Sequence, residues 1–449
     1  MNISIFSNIT FDVLVFILAY SFIVIALKSR IEKNKNFSLM GPFLMIKSEL
    51  GINLIQRIGS HKRIWHGFGI LSILLVAILM PSIFILLVAE ALIVYKIPAS
   101  KAPQPTELIG IPGINPFIPV IYGIIALIVA VVIHELFHGF VARSNDMSIK
   151  STGILYFIVP IGAFVELDEE HMKKISKKPR SMIAAAGPGI NFVLAFVFLM
   201  LFFGMVSTTV VPAYHNGMGV YSVYSNSAAQ HAGIVPGDIL ISINNITINN
   251  DSSLVYAINS TRPGMIVETS YWDYNKNAVI TQYVPMTNKS LLTGNMNNKT
   301  LPFFGVSVVS TTGFLSFIKN PFNGNFIGGF VLFIALPFLG MEPIAQPLIH
   351  YYALQGPLSF LPLSYFWFGV NLFYWLFWMN LMLSLTNALP AIPLDGSYVY
   401  KDGVSYLLER FFKKIDAIKV DKISNNVLVI TSLLVFFLII WQLIGPHIV

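Results

Sequence analysis

The sequence predicts a polytopic α-helical membrane protein that carries a small mixed β/α domain outside the bilayer. Three observations lead there. The 449-residue chain is 55% hydrophobic and only 11% charged, with a mean hydropathy of +0.72, whereas soluble domains are nearer a quarter charged. Apolar runs long enough to cross a bilayer recur from end to end. Between residues 210 and 325 the composition changes to short alternating runs rich in Asn, Ser and Thr. There is no cysteine, which excludes disulfides and thiolate metal sites, so any metal must be held by His, Asp or Glu. The net charge of +7 sits between apolar runs. That is the pattern of membrane topology, and it predicts a lipid partner and no nucleic acid.

Taken in order, the candidate membrane stretches are 11–27, 67–95, 116–142, 181–209, 326–344, 361–389 and 426–444. The first lacks a basic region before it and is followed by "KSRIEKNK", so it reads as a transmembrane helix and not as a cleaved signal peptide. The second contains Pro81 and is expected as one kinked or tilted helix, or as two short passes. "TGILYFIVPIGAFVE" (152–166) is short for a helix and is interrupted by Gly and Pro. It reads as a re-entrant or membrane-edge β segment shielded by protein.

Charge sets the expected orientation. Residues 28–63 hold eight Lys/Arg against two acids, 171–180 hold five basic residues, and 401–422 hold six against four. All three are expected on the cytoplasmic face, with 210–325 and the N-terminus outside. The stretch 116–142 then enters from outside. On this parity 326–344 is not a simple crossing; it folds back through 341–354 or lies along the surface. Within the outside region, "GVYSVYSNSAAQHAGIVPGDILISINNITI" (219–248) reads as strand, short helix, tight turn, strand and hairpin. Gly237 and Asp238 form the turn before the buried strand "ILISI".

The chemistry sits in "VVIHELFHGF" (131–140). His134 and His138 are four apart on an expected helix and share a face, so both imidazoles can reach one ion. Glu135 is one step round, close enough to act on water beside that ion. This is the spacing of zinc hydrolysis. Ionisable groups at membrane depth are rarely tolerated without a partner or a role. A third protein ligand is needed. Glu166, Asp168, Glu169, Glu170 and His171 are candidates by proximity, but they lie beside a lysine cluster. Asp395 in "NALPAIPLDG" (387–396) is the better candidate. Pro390 and Pro393 break an apolar helix and Gly396 permits a turn, which can aim one carboxylate back into a helix bundle. His61, His66, His215, His231 and His350 lack ligand spacing, and the aromatics of 365–378 read as helix packing or interface anchors.

With these motifs the sequence resembles the site-2 protease family of intramembrane zinc metalloproteases. "HELFH" is similar to the HExxH of the family's first core helix, "AAAGPGINF" (184–192) to the Gly-Pro-x-x-Asn element of its second, and "NALPAIPLDG" to the last motif on its third. "GAFVELDEE" (162–170) is similar to the segment after the first core helix. Residues 226–245, "NSAAQHAGIVPGDILISINN", resemble a PDZ domain of the kind inserted between the second and third core helices, and "LPFFGVSV" (301–308) its following strand.

The resemblance implies a three-helix metalloprotease core with flanking transmembrane helices. Residues 1–115 would be the N-terminal helices and loop, and 116–209 the first half of the core. Residues 210–310 would be the PDZ-like domain, 311–360 a membrane-associated connector, 361–400 the second half of the core, and 401–449 a loop and final helix. One catalytic zinc ion would be held by His134, His138 and Asp395. Glu135 would be general base and then acid. Asn191 and Asn387 would support the substrate strand, the developing oxyanion or the geometry of the site. The implied substrates are transmembrane segments able to unwind, already shortened outside, and the PDZ-like domain would receive a peptide or limit access by bulk. The 152–166 segment offers an edge strand for an extended substrate. The implied setting is the cell membrane, multi-pass, with the site toward the cytoplasm and the PDZ-like domain on the other side. A zinc- or proton-coupled transporter would scatter ligands over several helices and carry inverted repeats, which the sequence lacks. A non-catalytic scaffold would function without Glu135.

Overall fold

A computed structural model describes residues 18–34, 36–41, 43–108, 110–157, 159–290, 301–339, 344 and 346–448. Its principal elements in chain order are β1 (Phe37–Met40), β2 (Phe43–Ser48), α1 (Leu50–Gly59), α2 (Lys62–Val94), α3 (Val120–Ser144), β3 (Ile149–Phe157), β4 (Val159–Leu167), α4 (Lys177–Thr209), β5 (Met218–Val223) and β6 (Ile239–Ile243). They continue with α5 (Asp251–Asn259), β7 (Ile266–Asp273), β8 (Ala278–Pro285), β9 (Val306–Ser310), α6 (Phe326–Ala335), α7 (Leu363–Ala388), α8 (Gly396–Phe411) and α9 (Ala417–Ile444). The chain divides into two compact units, Met1–Val197 with Trp375–Val449, and Phe198–Tyr374.

Among the described residues, five helices, α2, α3, α4, α7 and α9, are long and apolar enough to cross a membrane. This is a multi-pass membrane protein. The 67–95 run is one helix with Pro81 inside it, not two passes. The 326–344 run is not a simple crossing, in keeping with the charge parity: its helix α6 spans 10 residues, about 15 Å at 1.5 Å per residue, half of a hydrocarbon core. Of the 11–27 run, residues 18–26 are helical, and 1–17 lie outside the described residues, as do 340–343.

In the first unit, α2, α3 and α4 pack through small side chains. Residues 181–190 of α4 are all buried. Between helices in lipid the apolar driving force is weak, so close approach of small residues supplies the packing. Trp65 of α2 anchors one cluster, 4.7 Å from Phe140 and 5.3 Å from Phe137 by ring centroids, with Ile55 of α1 and Met182 of α4 beside it. A second cluster joins Val76 and Leu79 of α2 to Ala184, Ala185, Ala388 and Val399.

The 152–166 segment is a β-hairpin. β3 and β4 pair antiparallel from Ile149↔Leu167 to Phe157↔Val159, and β2 pairs β3 from Ser48↔Thr152 to Leu44↔Tyr156. The sheet order is β1-β2-β3-β4, which leaves β4 as an edge lying along α3. Gly153 is required here: a Cβ would stand 2.2 Å from the Ile46 carbonyl oxygen.

The second unit contains an antiparallel sheet in the order β8-β7-β6-β5-β9. Its core is Met218, Val220, Leu240, Ile243, Leu254, Val267, Tyr271 and Phe304. The predicted run is present: strand β5, a short helix Ala228–His231, a turn with Gly237 at φ +106°, strand β6 and a hairpin to Ile246–Thr247. α5 opens on a capping box between Asn250 and Ser253, which satisfies first-turn N–H groups. Val210–Pro212 pairs with Tyr352–Leu354, and Phe202, Phe333 and Tyr374 form a buried aromatic group.

Candidate metal centre

Two elements distant in sequence meet in the first unit. On α3, His134 and His138 are one helical turn apart, and their Nε2 atoms are 3.1 Å from each other. Asp395 arrives from the proline break after α7. Pro390 and Pro393 supply no N–H, and the chain turns with Ala391 N–H on the Leu389 carbonyl (2.9 Å) and Leu394 N–H on that of Ala391 (2.8 Å). Ile392 N–H donates to Ser432 Oγ at 3.1 Å. A Cβ at Gly396 would lie 2.4 Å from the Ala388 oxygen, so the return of the chain needs glycine there. Asp395 then begins α8 in helical conformation. Its Oδ2 is 3.1 Å from His134 Nε2 and 3.2 Å from His138 Nε2.

These three atoms form the metal-capable cluster of the described residues. Their chemistry and spacing fit one cation. Three electron-pair donors facing one another repel unless positive charge stands between them. Tetrahedral bonds of about 2.0–2.1 Å place neighbouring donors about 3.3 Å apart, close to the observed spacing. His134 and His138 are buried, at 5% and 8% exposed. His138 Nδ1 is 2.7 Å from the Ile183 carbonyl. A carbonyl only accepts, so Nδ1 carries the proton and Nε2 keeps its lone pair for a metal. Gly187 of α4 provides room: a Cβ there would stand 2.4 Å from both Nε2 atoms.

The other predicted residues fall around this triangle. Glu135 Oε2 accepts the Val165 N–H of β4 at 3.0 Å. Asn191 is fully buried, its Nδ2 3.0 Å from His134 Nδ1. Asn387 is half-buried and donates to the Leu383 carbonyl of its own helix at 3.1 Å. The ligand candidates chosen by proximity are elsewhere engaged. Glu166 pairs with Lys47 at 2.8 Å and accepts from Ser151. Asp168 caps the short helix Glu169–Lys174, accepting from the N–H groups of Glu170 and His171. Glu170 pairs with Lys174 at 3.5 Å. Among the described residues, Glu166, Asp168, Glu170 and His171 do not belong to the cluster; the Glu169 side chain lies outside them. β4 runs along α3, which directs its nearby acids to sheet and cap partners.

A cavity of about 680 Å³ adjoins the triangle, lined by Glu135, His138 and Asp395, by Phe164 to Leu167 of β4, and by Arg180, Lys401, Asp402 and Asp421. Arg180 makes a two-pronged pair with Asp402, one prong Nε to Oδ2 at 3.0 Å, and Ser181 donates to the same carboxylate at 3.0 Å. Asp402 is two turns after Asp395 on α8, so this pair fastens the start of α4 to the helix that Asp395 opens. Sequence reasoning missed this pair and Gly187. In the sequence Arg180 is one charge of a basic loop, and the sole signals are a glycine inside the "AAAGPGINF" element and an acid seven residues after Asp395.

A sequence profile of peptidase family M50 matches residues 122–435, which runs from α3 through the cluster and into α9. The chain belongs to peptidase family M50. An uncharacterized protein of Methanocaldococcus jannaschii is 28% identical over 412 residues, 90% of either chain. A Clostridium acetobutylicum protein provisionally named a zinc metalloprotease is 29% identical over 169 residues, 32% of this chain and 48% of that one. This M50 chain thus joins family membership to a His–His–Asp cluster consistent with a zinc-dependent intramembrane protease.

Proposed function

We propose that this M50 chain is an endopeptidase that cleaves peptide bonds within or next to transmembrane segments of membrane proteins. The observation that carries the reading is the meeting of His134 Nε2, His138 Nε2 and Asp395 Oδ2 beside a cavity that Glu135 and the edge strand β4 also line. His134, His138 and Asp395 would hold one zinc ion, which when bound polarises the scissile carbonyl and activates water at neutral pH. Glu135 takes the proton from the attacking water and delivers it to the leaving amine. Val165 N–H, donated to Oε2 at 3.0 Å, fixes the orientation of this carboxylate. The charged end of the cavity, where Lys401 pairs with Asp421 at 3.0 Å, gives water a polar path.

The substrate must become extended to expose its carbonyls. β4 is an edge strand, and an extended segment would pair with its outward backbone groups other than Val165 N–H, which Glu135 already accepts. Asn387 would offer its amide beside the Asp395 turn. In the second unit, β9 ends the sheet, which supports a PDZ-like module receiving a peptide by strand addition. Five spans with the three basic loops inside send α2 outward, α3 inward, α4 outward, α7 inward and α9 outward. Residues 210–325 then fall on the extracytoplasmic side without α6 crossing.

The test is cleavage of a model transmembrane segment by the full chain in detergent. Glu135→Gln should abolish cleavage with metal content unchanged, and Asp395→Ala should lower metal content. Undiminished cleavage by metal-stripped protein would end the proposal.

A further inference from the structure

Asn191 carries two unreconciled features. Its Nδ2 faces His134 Nδ1 at 3.0 Å, yet its Oδ1 is buried with no hydrogen-bond partner. We infer that Asn191 is a positioning residue of the metal centre, whose amide oxygen accepts a hydrogen bond from His134 Nδ1–H and so keeps the Nε2 lone pair on the ion. This rests on the reading of His134 as a ligand.

A neutral imidazole has one proton. His134 Nε2 is the atom that faces His138 Nε2 and Asp395 Oδ2, and it can ligate only if it is bare. The proton therefore sits on Nδ1. An amide nitrogen opposite a protonated Nδ1 sets donor against donor and strands the oxygen. A half-turn about the Cβ–Cγ bond exchanges oxygen and nitrogen at the same place, and Oδ1 then accepts Nδ1–H. His138 provides an independent parallel: its Nδ1 is held by the Ile183 carbonyl at 2.7 Å, a group that can only accept. Ile183, Gly187 and Asn191 are spaced by four along α4. One face of one helix therefore supplies an acceptor to each ligand histidine and, between them, the gap for the ligand atoms.

A substrate-binding or oxyanion role would need an amide reachable from the cavity. Asn191 is 0% exposed and is not among the lining residues. Its tie to His134 accounts for a polar group at this depth, where an unpaired one is costly.

The experiment uses the full chain in detergent with Asn191→Leu, which removes the acceptor, and Asn191→Asp, which can only accept. Zinc affinity is measured by chelator competition, the visible spectrum is recorded with cobalt in place of zinc, and cleavage is followed across zinc concentrations. Asn191→Leu should bind zinc roughly 10–100-fold more weakly, with an altered cobalt spectrum, and its cleavage should recover when zinc is raised to saturation. Asn191→Asp should bind within about threefold of wild type or more tightly. Wild-type zinc affinity in Asn191→Leu with cleavage lost at saturating zinc would overturn the inference in favour of a substrate or oxyanion donor. If Asn191→Leu does not fold, Asn191→Asp decides: a folded Asp variant that loses metal means the amide donates, and the inference is wrong. Wild-type protein that binds no zinc would instead sink the underlying reading of the site.

Discussion

Replacing Gly187 by alanine should empty the metal site without unfolding the protein. A Cβ on Gly187 lies 2.4 Å from Nε2 of both His134 and His138 and 2.6 Å from His134 Cε1, whereas ordinary contact begins near 3.4 Å. Each ring would have to retreat by about 1 Å, the difference of those two distances. Neither is free to do so, because His134 Nδ1 is held at Asn191 and His138 Nδ1 at Ile183. Metal bonds tolerate only about 0.2 Å, so at least one histidine bond is lost. The expected effect is roughly a hundredfold or greater loss of zinc affinity, about 3 kcal/mol. Zinc content after purification and affinity by chelator competition measure it. Gly189→Ala is the control. Its Cβ would meet Ser72 Oγ at 2.5 Å, a similar clash on the same helix but against α2. It should lower the melting temperature in detergent by overpacking and leave zinc in place. Gly187→Ala protein that holds zinc with wild-type affinity would refute the reasoning.

Glu135→Gln should reduce cleavage by roughly 10²–10⁴-fold with zinc content unchanged, read by gel-based cleavage beside metal analysis. Arg180→Leu leaves Asp402, 4% exposed, without its cation. It should lower stability by about 3–5 kcal/mol, whereas Arg180→Met with Asp402→Leu should recover most of the loss; detergent melting curves compare them. In the second unit, burial pushes the Asp238 carboxyl up to about 6, against about 3.9 in an unfolded chain. The folded state therefore holds this proton more tightly. The stability contributed is full below pH about 4 and is lost as pH rises through about 6, roughly 3 kcal/mol by pH 7. Asp238→Asn should remove that slope, measured by denaturant unfolding at about pH 4.5 and pH 7; an unchanged slope would mean another group carries it.

The readable parts of this protein are those written in short range. The spacing of His134 and His138 on one helical turn, the proline break that aims Asp395, and the strand and turn pattern of 219–248 are local consequences of periodicity and backbone restriction. What stayed hidden depends on which residues meet. Nothing in "FSLMGPFLMIKS" says that β1 and β2 extend the β3–β4 hairpin, because a strand's partner is set by register in space. Nothing in a lysine-rich loop singles out Arg180 until Asp402 appears opposite it. Glu166 and Asp168 looked near the histidines in sequence, but a strand and a cap give them other partners. Hydropathy alone makes 326–344 a candidate crossing, and it is the parity of the basic loops that argues against one; the helix ends after 10 residues, before Pro337, a boundary that hydropathy does not measure.

The placement of α4 explains how ligands more than two hundred and fifty residues apart can form one site. Joining them directly would leave α3 and the Asp395 turn free to drift, and a drift of a few tenths of an ångström is enough to weaken a metal site. α4 constrains both. Toward α3 it presents the Ile183 carbonyl, Gly187 and Asn191 to the two histidines. Toward the last motif, Pro188 gives its carbonyl to Ser384 of α7 at 2.8 Å, and Arg180 and Ser181 grip Asp402 of α8. The helix thus measures the gap between the imidazoles and the carboxylate. The physical consequence is that damage to the Ile183–Gly187–Asn191 face of α4 should appear as loss of metal before loss of fold, whereas damage to the Arg180 grip on Asp402 should appear first in stability, since the apolar clusters that hold α2, α3 and α4 together do not pass through the three ligands.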